Sequence, residues 1–134
     1  MYTGYVFYCE DEKLQQCLRH KKYACTGKEG VAPREVPDGS TIFLYNSNKK
    51  TLLGPFTANQ GGATLEKGGW AEDIDEHSAS ANVKVEWEEL HLMENATEQL
   101  PFLNNMKSCK LSESQTQRAL DLLKKAAFYN SAQP

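Results

Sequence analysis

The sequence lacks the features that would place the protein in a membrane or outside the cell. No apolar run approaches the ~20 residues that a transmembrane helix needs. Residues 1–13 have neither the basic lead nor the long apolar stretch of a secretory signal. We therefore expect a soluble protein of the cytoplasm or nucleus. Its 134 residues, 40% of them hydrophobic and 25% charged, suit one folded domain.

Common catalytic and metal-binding motifs are also missing. The nine glycines form neither a dinucleotide-binding loop nor a phosphate-binding loop. The sequence contains no zinc-protease motif and no nucleophile elbow. None of the four cysteines stands in a C-x-x-C pair, so we expect four free thiols. These absences predict a non-enzymatic binding domain without a metal or a cofactor.

The chain has no basic excess. Its net charge is -3, which argues against a protein that coats nucleic acid by charge alone. The charge is unevenly distributed, however. Residues 19–34 contain five basic residues against Glu29, whereas residues 66–98 contain ten carboxylates against two lysines. We expect opposite faces of the domain to differ in the sign of their charge.

Hydrophobic patterns predict both strands and helices. The clearest alternation places Val83, Val85 and Trp87 on the inward face of one strand, so Trp87 is predicted to be structural. Other predicted strands cover 4–8, 40–45, 51–58 and 90–92, and predicted helices cover 11–20 and 113–127. The order predicts an α+β fold with a curved, mainly antiparallel sheet or barrel of five or six strands, flanked by short helices. We expect one domain over 1–129 and a flexible tail at 130–134.

Two aromatic residues fall in predicted loops where no strand pattern explains them. Tyr23 begins the polar stretch 23–38, and Trp70 lies in the glycine-rich stretch 60–80. A large ring in such a loop either covers the core or offers a flat face to a ligand. Both interpretations stay open on the residues alone.

The order of these segments resembles the PUA-like superfamily and, within it, the DCD (development and cell death), EVE and YTH families. The DCD resemblance is the closest of the three. The matching segments are Gly4–Cys9, Leu14–Leu18, Tyr23–Thr26, Asp38–Asn46, Lys50–Ala58, Gly69–Trp70, Asn82–Val85 and the start of the last helix at Leu111–Gln115.

This resemblance implies a binding site for a modified base. YTH domains bind N6-methyladenine in RNA, and EVE domains are linked to modified DNA bases. The aromatic walls of such a cage correspond to Tyr23 and Trp70. The residues expected at the edge of the base are Glu10, Asp11, Cys25 and Thr26. The residues expected at the flanking phosphates are Arg19, Lys21, Lys22, Lys28 and Arg34.

Two functions of different classes follow. The first is a reader domain that binds a modified base in DNA or RNA, and the loop aromatics and the local basic segment favour it. The second is a DCD-like protein-interaction or stress-signalling module without base binding. Protein partners or fused effector domains are expected alongside a nucleic acid. The acidic net charge favours the second. Neither function involves a membrane.

Overall fold

The computed structural model describes residues 2–25, 36–59, 81–106 and 108–129, with the backbone alone at 2, 3, 24, 25, 81 and 82. None of the helices in these ranges is long and apolar enough to cross a lipid bilayer. The elements in chain order are β1 (Tyr2–Tyr8), α1 (Asp11–His20), β2 (Lys22–Cys25), β3 (Thr41–Asn46), β4 (Thr51–Ala58), β5 (Ala81–Glu86), β6 (Leu90–Met93), α2 (Ala96–Gln99), a 3-10 helix (Pro101–Asn104), β7 (Lys110–Ser112), α3 (Glu113–Leu123) and β8 (Ala127–Tyr129).

All the strands of these ranges belong to one open sheet. Its main path runs β2-β5-β4-β3-β1-β7, and β6 pairs with both β4 and β8 beside that path. The β1–β3 pair is parallel and every other described pair is antiparallel. The predicted α+β class with a mainly antiparallel sheet is therefore confirmed. The described sheet has eight strands rather than five or six, because β2, β7 and β8 are too short for alternation to reveal them in the sequence.

Side chains of β1 point alternately to the two faces of the sheet. Tyr5 and Phe7 lie in one buried cluster, and Val6 lies in the other. Helix α1 packs on the first face, and α3 packs on the second. The buried residues of the two helices are Leu14, Cys17 and Leu18 in α1, and Thr116, Ala119 and Leu123 in α3. Because both faces are covered, the central strands β3 and β4 are almost continuously buried.

Helix α3 begins at the capping box that the sequence contains. The Ser112 hydroxyl accepts from the Gln115 amide at 3.2 Å, and the Gln115 side chain accepts from the Ser112 amide at 2.9 Å. These two bonds satisfy backbone donors that a helix otherwise leaves open. The helix ends at Leu123 rather than at 127, because Ala127 enters β8 and pairs with Leu92. The predicted tail at 130–134 lies outside the described residues.

A glycine sets how closely α3 approaches the sheet. A Cβ atom built on Gly4 would stand 2.5 Å from Thr116 Oγ1, well inside van der Waals contact. The Thr116 hydroxyl donates to the Ser112 carbonyl at 2.8 Å and stays in this position over β1. Helix α3 therefore packs directly on the backbone of β1.

Candidate functional site

Tyr23 lies in a strand, not in the loop that the polar sequence predicts. It belongs to β2, where it is paired with Val83 of β5. Its ring stacks on Phe7 with centroids 4.5 Å apart and an interplanar angle of 13°. Its hydroxyl donates to the Tyr8 carbonyl at 2.9 Å, and the residue is 1% exposed. The short pairing with β5 is what brings Tyr23 into the core.

A lysine from α1 covers the Tyr23 ring. Lys13 Nζ donates to the Tyr23 hydroxyl at 3.0 Å and lies 4.1 Å from the ring centroid. At this separation an ammonium is attracted to the aromatic face. Phe7 is fully buried, whereas Lys13 is a long and partly exposed side chain. Of these two neighbours, Lys13 is the one that a ligand could displace.

The two predicted base-edge carboxylates begin helix α1. Glu10 is the N-cap residue, and its side chain is exposed and makes no capping bond. The Asp11 carboxylate accepts a hydrogen bond from the Asn46 side chain and pairs with Lys49 Nζ at 3.2 Å. Asp11 thereby ties the first turn of α1 to the turn between β3 and β4. A role of either carboxylate at a base edge stays a prediction.

The other half of the predicted cage lies outside the described residues, apart from the backbone of Cys25. Cys25 ends β2 opposite Ala81, and only its backbone is described. The remaining predicted residues outside the described ranges are Thr26, Trp70, Lys28 and Arg34. The pairing of Tyr23 with Trp70 therefore also stays a prediction.

Three of the predicted phosphate-contacting residues lie together where α1 ends and β2 begins. Arg19 and Lys21 are exposed, and Lys21 has the left-handed backbone that ends the helix. Lys22 is partly exposed and lies opposite Lys84 of β5. In the sequence, Lys84 lies within the acidic stretch 66–98. The antiparallel pairing instead adds it to this basic corner, which consists of Arg19, Lys21, Lys22 and Lys84.

A second site forms where β4 changes partner. Thr57 of β4 is opposite Glu86 of β5, and Gly54 is opposite His91 of β6. Between these two pairs, β4 advances by three residues while the opposite part of the same chain advances by five. The segment 87–89 therefore does not fit into the strand pairing and leaves the sheet. Pro55 has no amide hydrogen, so it cannot donate to the ladder at this point. The result is a break in the sheet that the segment 87–89 overhangs.

Trp87 heads this segment and packs inward against the core as predicted, although it is only partly buried. Val83 and Val85 are buried as predicted, but β5 ends at Glu86, so the alternation does not carry Trp87 fully into the core. The Trp87 ring meets Phe56 edge to face with centroids 5.4 Å apart and is only partly buried. On the outside, Lys21 Nζ lies 5.7 Å from the Trp87 ring centroid.

Helix α3 faces the break across a cleft of about 480 Å³, here named the Trp87 cleft. Its lining residues are Pro55, Thr57, Glu86, Trp87, Glu88, Glu89, His91, Leu120, Leu123 and Lys124. Three carboxylates thus oppose one lysine around an aromatic and aliphatic wall. No local sequence pattern marks this cleft, because its residues come from three separate stretches of the sequence, 55–57, 86–91 and 120–124.

His91 links the Trp87 cleft to strand β8. Its Nδ1 lies 3.1 Å from the Ala126 carbonyl, which can only accept, so Nδ1 carries the hydrogen. The His91 ring lies 4.6 Å from the Phe128 ring, measured between centroids. Phe128 itself is 72% exposed. The cleft therefore continues into an exposed aromatic shoulder.

The cysteines whose side chains are described are reduced. Cys9, Cys17 and Cys109 are buried and form no disulfide, as predicted, whereas the side chain of Cys25 is not described. Burial raises the pKa of the Cys9 thiol to about 12 and also raises the pKa of Cys17. Within the described ranges, no group of three or more histidine, cysteine or carboxylate side chains is placed to hold a metal ion.

Two solved structures share this fold. The first is the YTH domain of Pho92, solved in complex with m6A, with a TM-score of 0.66 and 14% identity over 90% of this chain and 82% of that chain. The second is the YTH domain-containing protein mmi1, solved with RNA, with a TM-score of 0.63 and 10% identity over 90% and 80%. These similarities establish the fold and confirm the resemblance to YTH domains.

The sequence comparisons identify the family. A search of curated proteins found no match. A family model described as the development and cell death domain matches residues 3–123, which is most of the chain and includes every described helix and all described strands except β8. The chain therefore belongs to the development and cell death domain family, within the fold that YTH domains share.

Proposed function

We propose that this chain is a non-enzymatic reader domain that binds a modified base in RNA or DNA. The observation that carries the proposal is the similarity of fold, over 90% of the chain, to a YTH domain solved in complex with m6A. A second structure of this fold is a complex with RNA. The basic corner gives this chain a surface of the right charge for the flanking phosphates.

In this proposal, Tyr23 is one wall of the pocket and Trp70 is the other. Lys13 occupies the position over the Tyr23 ring, so an entering base displaces its ammonium. The Lys13 side chain is then available to a phosphate of the same nucleotide. Stacking a base on an aromatic ring contributes roughly 1–3 kcal/mol. The displaced cation–π contact offsets about 0.5–1 kcal/mol of this.

Selectivity for the modification needs more than stacking. Burying one additional methyl group contributes only about 0.8 kcal/mol, which is roughly a fourfold preference. Stronger discrimination arises if an unmodified amine leaves one N–H without an acceptor, at a cost of about 1–3 kcal/mol. We propose Glu10, Asp11, Cys25 and Thr26 as the groups at the base edge.

The test is a titration of the chain against modified nucleosides and matched short oligonucleotides in RNA and DNA. The panel contains N6-methyladenine and modified cytosines beside their unmodified forms. We expect at least one modified oligonucleotide to bind more tightly than its unmodified twin. Trp70→Ala should weaken that binding about 5- to 150-fold, because it removes one stacking wall. Its melting temperature should stay close to that of the wild type.

Charge variants separate phosphate contacts from general charge effects. Lys21→Ala and Lys22→Ala should weaken oligonucleotide binding and reduce its dependence on salt, since each removes one phosphate contact. Lys125→Ala removes the same charge from an exposed position beyond the end of α3, so it serves as the matched control. Equal effects at all three positions, or no binding across the panel, would exclude a reader of this kind.

The protein-interaction alternative is supported by a different part of the molecule. The Trp87 cleft is lined by three carboxylates and would repel a phosphate backbone. It is the one described feature that favours a protein ligand over a nucleic acid.

A further inference from the structure

We propose that the Trp87 cleft binds a basic segment of a partner protein, through an arginine side chain that enters between Trp87 and the carboxylates of Glu86, Glu88 and Glu89. This site is distinct from the Tyr23 ring, which packs against Phe7 and Lys13 and does not line the Trp87 cleft. A domain with both sites joins a nucleic-acid ligand to a protein ligand.

The size and shape of the cleft suit one long side chain of the partner protein, together with the residues next to it. Its volume of about 480 Å³ lies within the range of about 300–1,000 Å³ typical of ligand pockets. The walls are built on ordered elements, since Pro55 and Thr57 belong to β4 and Leu120 and Leu123 belong to α3. The aliphatic stem of an arginine can therefore lie along apolar surface while its charged end reaches the rim.

The charges at the rim select a cation. Glu86, Glu88 and Glu89 are exposed, and Lys124 is the one lysine or arginine among the residues that line the cleft. Glu86 is held in place because its Oε2 accepts from the Asn59 side chain at 2.9 Å. A carboxylate fixed in this way suits the planar, two-pronged donor face of a guanidinium. The same charges disfavour an anionic ligand such as RNA.

The indole ring supplies a second attraction for the same group. Lys21 Nζ already lies 5.7 Å from the Trp87 centroid, within the distance at which cation–π attraction acts. A guanidinium also stacks flat on an aromatic ring, which an ammonium cannot do. Arginine is therefore preferred over lysine in the partner.

The exposed shoulder extends the contact beyond one side chain. Phe128 is 72% exposed, and its ring packs on His91, which lines the cleft. An apolar residue of the partner next to the arginine can cover Phe128. The partner is therefore a segment in which arginine and large apolar residues are neighbours, rather than a purely basic tract.

The test uses a fluorescein-labelled, terminally blocked peptide in which two arginines alternate with leucines, and a twin with citrulline in place of arginine. Citrulline keeps the shape and removes the charge. We expect the full chain to bind the arginine peptide at least about tenfold more tightly than the citrulline peptide. Combined Glu86→Gln, Glu88→Gln and Glu89→Gln should remove most of this difference. Trp87→Leu, which keeps an apolar wall, should weaken arginine-peptide binding several-fold.

The matched control removes the same charge elsewhere. Glu94, Glu98 and Glu113 are exposed and do not line the cleft, so their combined change to Gln should leave peptide affinity within about twofold. Equal losses in the two triple variants would show attraction by net charge alone and overturn the proposal. Equal affinity for the two peptides would overturn it as well.

Oligonucleotide binding by the triple variant of the cleft is the remaining test of the proposal. Oligonucleotide binding should be unchanged or slightly stronger in the triple variant of the cleft, because the removed charges repel phosphate. Oligonucleotide affinity that falls in this variant would assign the cleft to nucleic acid and refute a protein ligand. Failure of the base-reader proposal shows instead as equal affinity for every modified oligonucleotide and its unmodified twin, an outcome that leaves the peptide titration unaffected.

Discussion

Tyr23 lies in β2 and Trp87 directly follows the neighbouring strand β5, and the two residues show opposite relations between sequence pattern and burial. Tyr23 begins a polar stretch, yet it is 1% exposed and stacks on Phe7. Trp87 follows a clear alternation, yet it is only partly buried and lines a cleft. The comparison shows that the burial of these aromatic rings depends on which strand pairs beside them. The polarity of the surrounding sequence does not decide it.

The surroundings of the two rings also differ in charge. Lys13 lies over Tyr23, and the basic corner of Arg19, Lys21, Lys22 and Lys84 lies at the other end of α1. Trp87 lies among three glutamates, with Lys21 between the two regions. One short stretch of the β2–β5 pair therefore lies between a basic surface and an acidic cleft.

Removal of the Tyr23 ring should have the largest effect on stability. Tyr23→Ala leaves a cavity beside Phe7 and should lower the free energy of unfolding by about 3–5 kcal/mol. Urea denaturation followed by circular dichroism measures the change. Tyr23→Phe is the control, since it keeps the ring and removes only the hydroxyl bonds. A loss below about 1 kcal/mol in Tyr23→Ala would show that this ring is not a core residue.

Removal of the Trp87 ring should have a smaller effect. Because Trp87 is only partly buried, Trp87→Ala should lower the free energy of unfolding by about 2 kcal/mol, roughly half the cost at a buried aromatic. The same denaturation experiment compares the two variants directly. A Trp87→Ala variant that is less stable than Tyr23→Ala would reverse the comparison and restore the purely structural interpretation of Trp87.

Stability should also fall at high pH, because the cluster around Tyr23 contains buried thiols. Burial raises the pKa of Cys9 to about 12 from an ordinary value of 9.0. The unfolded chain therefore loses this proton first, so the stabilisation is present below pH 9 and is lost as the pH rises toward 12. At pH 10 the expected loss is on the order of 1 kcal/mol for this thiol.

The measurement is urea denaturation at pH 8 and pH 10, with Cys9→Ala as the control. The variant lacks the titrating group, so its stability should decline less between the two pH values. The same decline in both proteins would mean that other groups, rather than Cys9, cause the pH dependence.

The two lysines over the two rings should give the smallest effects. Lys13→Met removes a hydrogen bond and a cation–π contact to Tyr23 and should lower the free energy of unfolding by about 0.5–1 kcal/mol. Lys21→Met should change it by less than about 0.5 kcal/mol, because Lys21 is exposed and lies farther from its ring. Thermal denaturation of the two variants measures this difference. Equal losses of stability would contradict the contrast between the covered Tyr23 ring and the more open Trp87 ring.

Much of the fold follows from local sequence. Alternating and continuous apolar runs predict β1, β3, β4 and β5, the spacing of apolar residues predicts α1, and the Ser112–Gln115 capping box predicts the start of α3. These signals lie within a few residues of the elements that they create, so one sequence is enough to detect them. The order of the same elements carries the family resemblance, which the match over residues 3–123 confirms.

The short strands and the sites depend on contacts between distant segments. Strand β2 exists because Lys22–Cys25 pairs with Ala81–Glu86, and this pairing buries Tyr23. The Trp87 cleft exists because β4 changes partner between Thr57 and Gly54 while α3 lies across the break. Local patterns contain only the preferences of neighbouring residues. The sequence by itself therefore determined the main helices and strands and their order, whereas tertiary pairing decided which aromatic ring is covered and which one faces a cleft.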